Sequence, residues 1–257
     1  MRAVRLLWML LVVLMGLAMA ASLMLLERFK VPGRHGLPQR CMRRFMAALC
    51  RALPLRVQVH GALPATPMLW LSNHVSWMDI AVIGQLAPIS FLSKDEVRRW
   101  PVAGWLATRA GTFYIRRGAG DSQRLRQDMA EHLHRRGPVL IFPEGTTTDG
   151  RDVRTFHGRL LACAVESGAP VQPVALRYLR NGQPCDVAPF VGDDDMLSHL
   201  MRVLSAGPID VEVHLLPPIA SRGQERAALA HAAQGAVRTV LQRAPQAVPE
   251  AVAGAVA

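Results

Sequence analysis

His74 and Asp79 stand five residues apart in the stretch Asn73-His74-Val75-Ser76-Trp77-Met78-Asp79, and these two residue types at that spacing could make a base. A carboxylate that accepts from one imidazole nitrogen fixes the tautomer and stabilises the cation that forms. The other nitrogen is then free to take a proton. Asp79 could equally be a plain helix N-cap, because Ile80-Ala81-Val82-Ile83 reads as the start of a helix. Two more polar clusters follow apolar runs. Arg116-Arg117 could hold an anion, and Glu144-Gly145-Thr146 offers a glycine that lets a ligand approach the backbone closely. Taken singly, the arginines read as a solvated strand end and Glu144-Gly145 as a turn.

Presenting those clusters requires strands. Pro67–Ser72 reads as a buried strand before His74, Gly111–Gly118 as a strand ending in the two cations, and Pro138–Phe142 as a buried strand before Glu144. Further strands are expected at Arg56–Gly61, Ile89–Ser93, Val171–Leu176 and Val211–Leu216. Helices are expected at Cys41–Leu53, with Phe45, Met46, Leu49 and Leu53 on one face, at Asp121–Arg136 with Asp121 as a possible cap, and at Gly158–Ser167, closed by Gly168. A closing helix is expected over Gln224–Arg243. Asp95–Arg109 has helical composition but carries Pro101, which should break it. Its Trp100, Val102, Trp105 and Leu106 suit core packing, or else a groove for a hydrocarbon chain. Strands alternating with helices predict an α/β domain with a mostly parallel sheet flanked by helices, whose function gathers beyond the carboxyl ends of the strands.

The chain has 257 residues, 51% of them apolar, enough for one full core plus appendages. Leu6–Leu26 contains 21 residues without a charge, and a helix of about 20 such residues can cross a hydrocarbon core. A cleaved signal peptide competes, with Arg2 and Arg5 at its start and Ala18-Met19-Ala20 as a cut site. Signal peptides usually have an apolar stretch of about 7–15 residues, however, and this one continues through Leu26, which favours an uncleaved anchor. Arg28, Lys30, Arg34, Arg40, Arg43 and Arg44 follow the segment, so the bulk of the chain is expected on the cytoplasmic side of the inner membrane.

The formal charge of +11 suits anionic lipid headgroups beside such an anchor. With 5% aromatic residues and no recognisable module, a nucleic-acid partner is not expected. Cys41, Cys50, Cys163 and Cys185 lack metal-ligand spacing, so no metal is expected either. The organisation read from the sequence is an anchor helix over 1–30, a basic amphipathic helix over 31–55, a catalytic domain over 56–243 and a disordered tail over 244–257.

Asn73-His74-x-Ser76-x-x-Asp79 resembles the first motif of the glycerolipid acyltransferases, the group that includes the 1-acylglycerol-3-phosphate acyltransferases. Gly111–Arg117 is similar to the family's second motif, Phe142-Pro143-Glu144-Gly145-Thr146 to its third, and Ala169–Ala175 to its fourth, all in the family's order. The resemblance spans residues 57–218. It implies a membrane-docked α/β acyltransferase that needs no cofactor and takes acyl-CoA or acyl-carrier protein as co-substrate, with a lysolipid as acceptor. It also implies that His74 is the general base and Asp79 its orienting partner, and that Asn73, Ser76, Arg116, Arg117, Glu144, Gly145 and Thr146 bind substrate.

One position departs from the pattern. Where the family's third motif commonly continues with arginine this chain has Thr147, a poorer partner for a phosphate than a guanidinium fork. The expected acceptor is 1-acylglycerol-3-phosphate, giving phosphatidic acid. A non-phosphate lysolipid such as lyso-ornithine lipid is the alternative, and a catalytically silent lipid- or acyl-carrier-binding protein is the rival from another class.

Overall fold

The structure, a computed structural model, describes residues 2–30, 36–100, 102–116 and 122–244. Among the described residues eight strands form one sheet: β1 Leu55–His60, β2 Leu69–Ser72, β3 Ser90–Lys94, β4 Phe113–Ile115, β5 Val139–Ile141, β6 Val171–Arg180, β7 Gln183–Pro184 and β8 Ile209–Leu215. Their order is β1-β8-β6-β2-β5-β3-β4, with β7 paired to β6. From β6 through β2, β5 and β3 to β4 every pairing is parallel, as is β1 with β8. Only β6–β8 and β6–β7 are antiparallel. The sheet is thus mixed but mostly parallel, and the four residues of β2 are all buried, as expected of a strand covered on both faces.

Helices cover both faces. One apolar cluster joins α1 Arg2–Arg28, α2 Leu37–Ala52, α3 Met78–Gly84 and α7 Met196–Ser205 to one face. The other joins α5 Ser122–Arg135, α6 Ala162–Ser167 and α8 Arg226–Gln242 to the opposite face. The predicted helix over Asp95–Arg109 is split into a 3-10 turn, Asp95–Arg99, and α4 Ala103–Arg109, with Pro101 itself outside the described residues. Of its apolar side chains, Trp100 and Val102 are exposed and Trp105 is half-buried, while the half-buried Leu106 packs against the first apolar cluster.

Three elements escaped the sequence reading or outran it: the two-residue strand β7, α7 and the end of β6. α7 went unread, although its cap was visible: Asp195 accepts from the amides of Leu197 and Ser198, and an apolar run at helical spacing follows. β6 runs four residues beyond Leu176, because Arg177, which looks like a strand end, is buried. Its guanidinium pairs with Glu212 on β8 at 3.3 Å and donates to the carbonyls of Val240 and Arg243 at the end of α8. The predicted cap Asp121 and the tail from 245 onward lie outside the described residues.

α1 is apolar all round yet lies along the domain. Met9, Val12, Gly16 and Ala20 form its buried stripe, while Leu7, Trp8, Leu10, Leu11 and Leu14 face outward. Near its start, Arg5 donates to the carbonyls of Leu204 and Ala206 at the end of α7. Midway, a Cβ on Gly16 would stand 2.4 Å from the Phe45 ring, so glycine is what lets α1 and α2 touch. Gly16→Leu should therefore cost about 2–3 kcal/mol of packing. In detergent this should appear as a melting temperature lower by about 4–10 °C, with faster proteolysis between α1 and α2.

Candidate active site

β2 ends at Ser72, and Asn73 carries its ladder one step further with a side chain. The Asn73 amide donates to the Leu176 carbonyl at 2.9 Å, and its oxygen accepts from the Leu176 amide at 2.8 Å. With Asn73 fully buried and bonded like a backbone unit, the loop that follows leaves the sheet at a fixed point.

Asp79 organises that loop. It is fully buried, a costly place for a carboxylate unless its oxygens are satisfied. Here four donors converge on it. One oxygen accepts from the amides of Val75 at 2.7 Å and Ser76 at 3.0 Å and from His74 Nδ1 at 2.7 Å. The other accepts from the Tyr178 hydroxyl at 2.6 Å. Asp79 is therefore no ordinary N-cap: it lies inside α3, with its carboxylate turned back over the preceding loop. Tyr178, on β6, was not expected from sequence. Burial, and after it the Asp79 charge, push its phenol well above its ordinary value, so it remains a donor.

His74 is held on every side. Its ring stacks on Phe142, centroids 3.8 Å apart and planes within 12°, and its side chain is 20% exposed, which leaves an opening to solvent or substrate. With Nδ1 donating to Asp79, Nε2 carries the lone pair that could accept a proton. Its backbone is tied to the loop after β5: the His74 amide donates to Glu144 at 2.9 Å, and its carbonyl accepts from the Thr148 amide at 2.8 Å. The second Glu144 oxygen accepts from the Arg154 amide at 3.0 Å. Burial raises the Glu144 carboxyl above its usual range, opposed by those two amide bonds. Gly145 turns the loop with φ 69°, a conformation glycine adopts without strain.

Asn73, His74, Ser76, Asp79 and Glu144 thus meet at the carboxyl ends of β2 and β5, with Gly145 and a half-buried Thr146 in the adjoining turn. The Ser76 hydroxyl is buried and has no hydrogen-bond partner among the described residues. Arg116 is not brought to this cluster by any bond. It follows β4, three strands from β2 and so about 14 Å across the sheet at the usual strand spacing, and donates to Asp95 at 3.0 Å while 64% exposed. Arg117 lies outside the described residues. Thr147 donates to the carbonyl of Phe190, whose amide in turn donates to the Val75 carbonyl at 2.9 Å.

A fourth segment joins through His199 of α7, which is fully buried. Its Nδ1 accepts from the Trp77 indole at 3.0 Å, and its Nε2 donates to the Pro189 carbonyl at 3.1 Å. Burial, and after it the nearby Arg202, lower its pKa below the ordinary histidine value, which keeps the ring neutral and able to accept. Sequence reasoning missed His199 because α7 was missed.

The structure offers no thiol nucleophile here. Burial pushes Cys50 and Cys163 up to about 12, far from the thiolate range. His60, Glu212 and His214 bring ligand atoms within 4.8 Å of one another, but the Arg177 guanidinium and His214 already share one Glu212 oxygen. A cation would have to displace that ion pair, so the set makes no case for a metal.

Comparison with known proteins follows this geometry. A family model described as Acyltransferase matches residues 56–177. A lyso-ornithine lipid O-acyltransferase of Pseudomonas aeruginosa is 56% identical over 231 residues, covering 89% of this chain and 89% of the relative. A 1-acyl-sn-glycerol-3-phosphate acyltransferase of Neisseria gonorrhoeae is 31% identical over 194 residues, covering 74% of this chain and 76% of the relative. Among solved structures, the 1-acyl-sn-glycerophosphate acyltransferase of Thermotoga maritima superposes with a TM-score of 0.64 at 22% identity, covering 96% of this chain and all of that one.

Two outcomes follow from the bonds around Asp79 and His199. Tyr178→Phe deletes one hydrogen bond to a charged group, worth about 1.5–3 kcal/mol, so turnover should fall about tenfold or more with the fold intact by circular dichroism. For His199 the depressed pKa means that the neutral ring favours the fold. Its stabilisation is present above the unfolded value and lost as pH falls through the folded one. Thermal melts should show part of the acid destabilisation below about pH 6.5 disappearing in His199→Gln, whose amide can both accept and donate.

Proposed function

The chain belongs to the acyltransferase family, and from that premise we propose that it acylates the hydroxyl of lyso-ornithine lipid, with acyl-CoA or acyl-carrier protein as donor. The observation that carries this reading is the 56% identity, across nine-tenths of both chains, to a relative named for that acceptor. Thr147 agrees with it. Where the family's third motif commonly has a guanidinium, this chain has a hydroxyl already committed to a backbone carbonyl. A headgroup of amine and carboxylate has less need of that cation than a phosphate monoester. The second reading, 1-acylglycerol-3-phosphate as acceptor, is favoured by the relative of that name at 31% identity.

The same chemistry serves either acceptor. His74 Nε2 takes the acceptor hydroxyl proton as the oxygen bonds to the thioester carbonyl carbon. The resulting imidazolium is held by Asp79, itself braced by Tyr178 and two loop amides. The tetrahedral oxyanion collapses, the C–S bond breaks, and the thiolate recovers the proton from His74. The ester forms in one displacement, with no covalent enzyme intermediate. Ser76, whose buried hydroxyl has no hydrogen-bond partner among the described residues, is assigned to holding the acceptor, whereas Glu144, with both oxygens on amides, positions His74 through its main chain.

Anchoring rests on α1, the one candidate span among the described residues. Because α1 is bonded at Arg5 and packed at Gly16 along the domain, its outward apolar face enters one leaflet rather than standing free as a crossing helix. The catalytic domain faces the cytoplasm, on the side of the basic stretch after α1.

Purified protein offered both lysolipids side by side tests the assignment. Preference for lyso-ornithine lipid is expected, with His74→Ala lowering turnover by about 10²–10⁴ while membrane association persists. Preference for the phosphate acceptor would move the enzyme to the second reading. Near-normal turnover by His74→Ala would remove the base.

A further inference from the structure

A cavity of about 470 Å³ lies between the two N-terminal helices and the rest of the domain, within the roughly 300–1,000 Å³ typical of ligand pockets. Its wall is apolar where α1, α2 and α4 contribute, through Met19, Leu23, Phe45 and Leu106, and its rim carries Arg109, Arg135 and Arg136. No carboxylate lines it among the described residues, although Arg135 reaches Glu131 on its own helix at 3.4 Å.

The cavity is not the site of His74. Pro88 and Ile89 precede β3, Gly111 precedes β4 and Arg136 precedes β5, and all of them line it. It therefore opens at the amino ends of β3, β4 and β5, the opposite edge of the parallel array from the carboxyl ends of β2 and β5, where the proposed catalytic residues lie. Nothing in the acyl-transfer scheme uses it.

We propose that this cavity holds one anionic phospholipid taken from the membrane, its phosphate on Arg109 and Arg136 and one hydrocarbon chain along Met19, Leu23, Phe45 and Leu106. Charge complementarity selects the occupant. Guanidinium groups match phosphate oxygens in geometry as well as charge, and basic pockets beside membrane helices attract anionic headgroups. A soluble phosphate would leave the apolar wall in water, and a zwitterionic lipid would bring its own ammonium beside the arginines and so neutralise less of their charge. The outward apolar face of α1 puts the opening beside the lipid from which the ligand would come. Once bound, the lipid joins α1 and α2 to α4 and α5 and fastens the membrane helices to the domain. The inference uses the membrane association of α1 but not the identity of the acceptor.

Native mass spectrometry of the full chain in detergent, offered equal phosphatidylglycerol and phosphatidylcholine, tests this directly. One phosphatidylglycerol should be retained, with a preference of about tenfold or more over phosphatidylcholine. Arg109→Gln with Arg136→Gln should bring that preference to about one to one, while acyl transfer in detergent stays within about twofold of the parent, as for sites that are independent. Equal retention of the two lipids by the parent protein overturns the proposal without any variant, so it does not hang on the double variant folding. Undiminished preference in the variant overturns it too. So does a collapse of acyl transfer in a variant that melts like the parent, which would put the cavity on the substrate path.

Discussion

A carboxylate buried without compensation does not survive in a protein interior, and the whole candidate site can be read as the solution to that constraint at Asp79. Four donors satisfy it: two amides of its own loop, the imidazole of His74 and the phenol of Tyr178. Each fixes something else. The amides of Val75 and Ser76 set the loop's path, the imidazole takes a defined tautomer, and the phenol ties the loop to β6, the strand that Asn73 already grips through Leu176. A charge that must be bonded thus becomes a template, and the imidazole is oriented before any substrate arrives.

Glu144 repeats the device from the neighbouring strand. Its two oxygens are spent on the amides of His74 and Arg154, so it holds the histidine's main chain while Phe142 holds the ring. His74 is consequently fixed from two strands and a helix at once. This explains why residues from separate sequence segments read as one site: each segment ends a strand of the same parallel array, and the β2–β5 and β2–β6 pairings bring those ends together.

Much of this was legible in the sequence because it is local. Apolar runs located β1, β2, β3, β5 and β8 within two residues, Pro101 marked the break before α4, and the motif residues His74 and Glu144 stood just after strands, with Asp79 at the start of the helix that follows. What was not legible depends on partners far along the chain. Arg177 reads as a polar strand end until its ion pair with Glu212 and the carbonyls of α8 are in view. Tyr178 lies past the expected strand end, and its bond to Asp79 joins residues 99 apart in the chain. Arg116 reads as a site cation beside Arg117, yet it is engaged with Asp95, and β4 sits at the far end of the strand order. α7 was left unread, although Asp195 caps it, and His199 went with it.

That lost helix bears on how the acceptor side is built. Through His199, α7 holds Trp77, next to Ser76, and also the Pro189 carbonyl. The following residue, Phe190, bonds to Val75 and receives the hydroxyl of Thr147. Three loops that surround His74 therefore close on one another through neutral hydrogen bonds. An arginine at 147 would have to break that closure to point its guanidinium into the site, whereas threonine completes it. Seen this way, the departure from the family pattern is more than a missing cation. It belongs to a set of uncharged contacts that tie the three loops to one another.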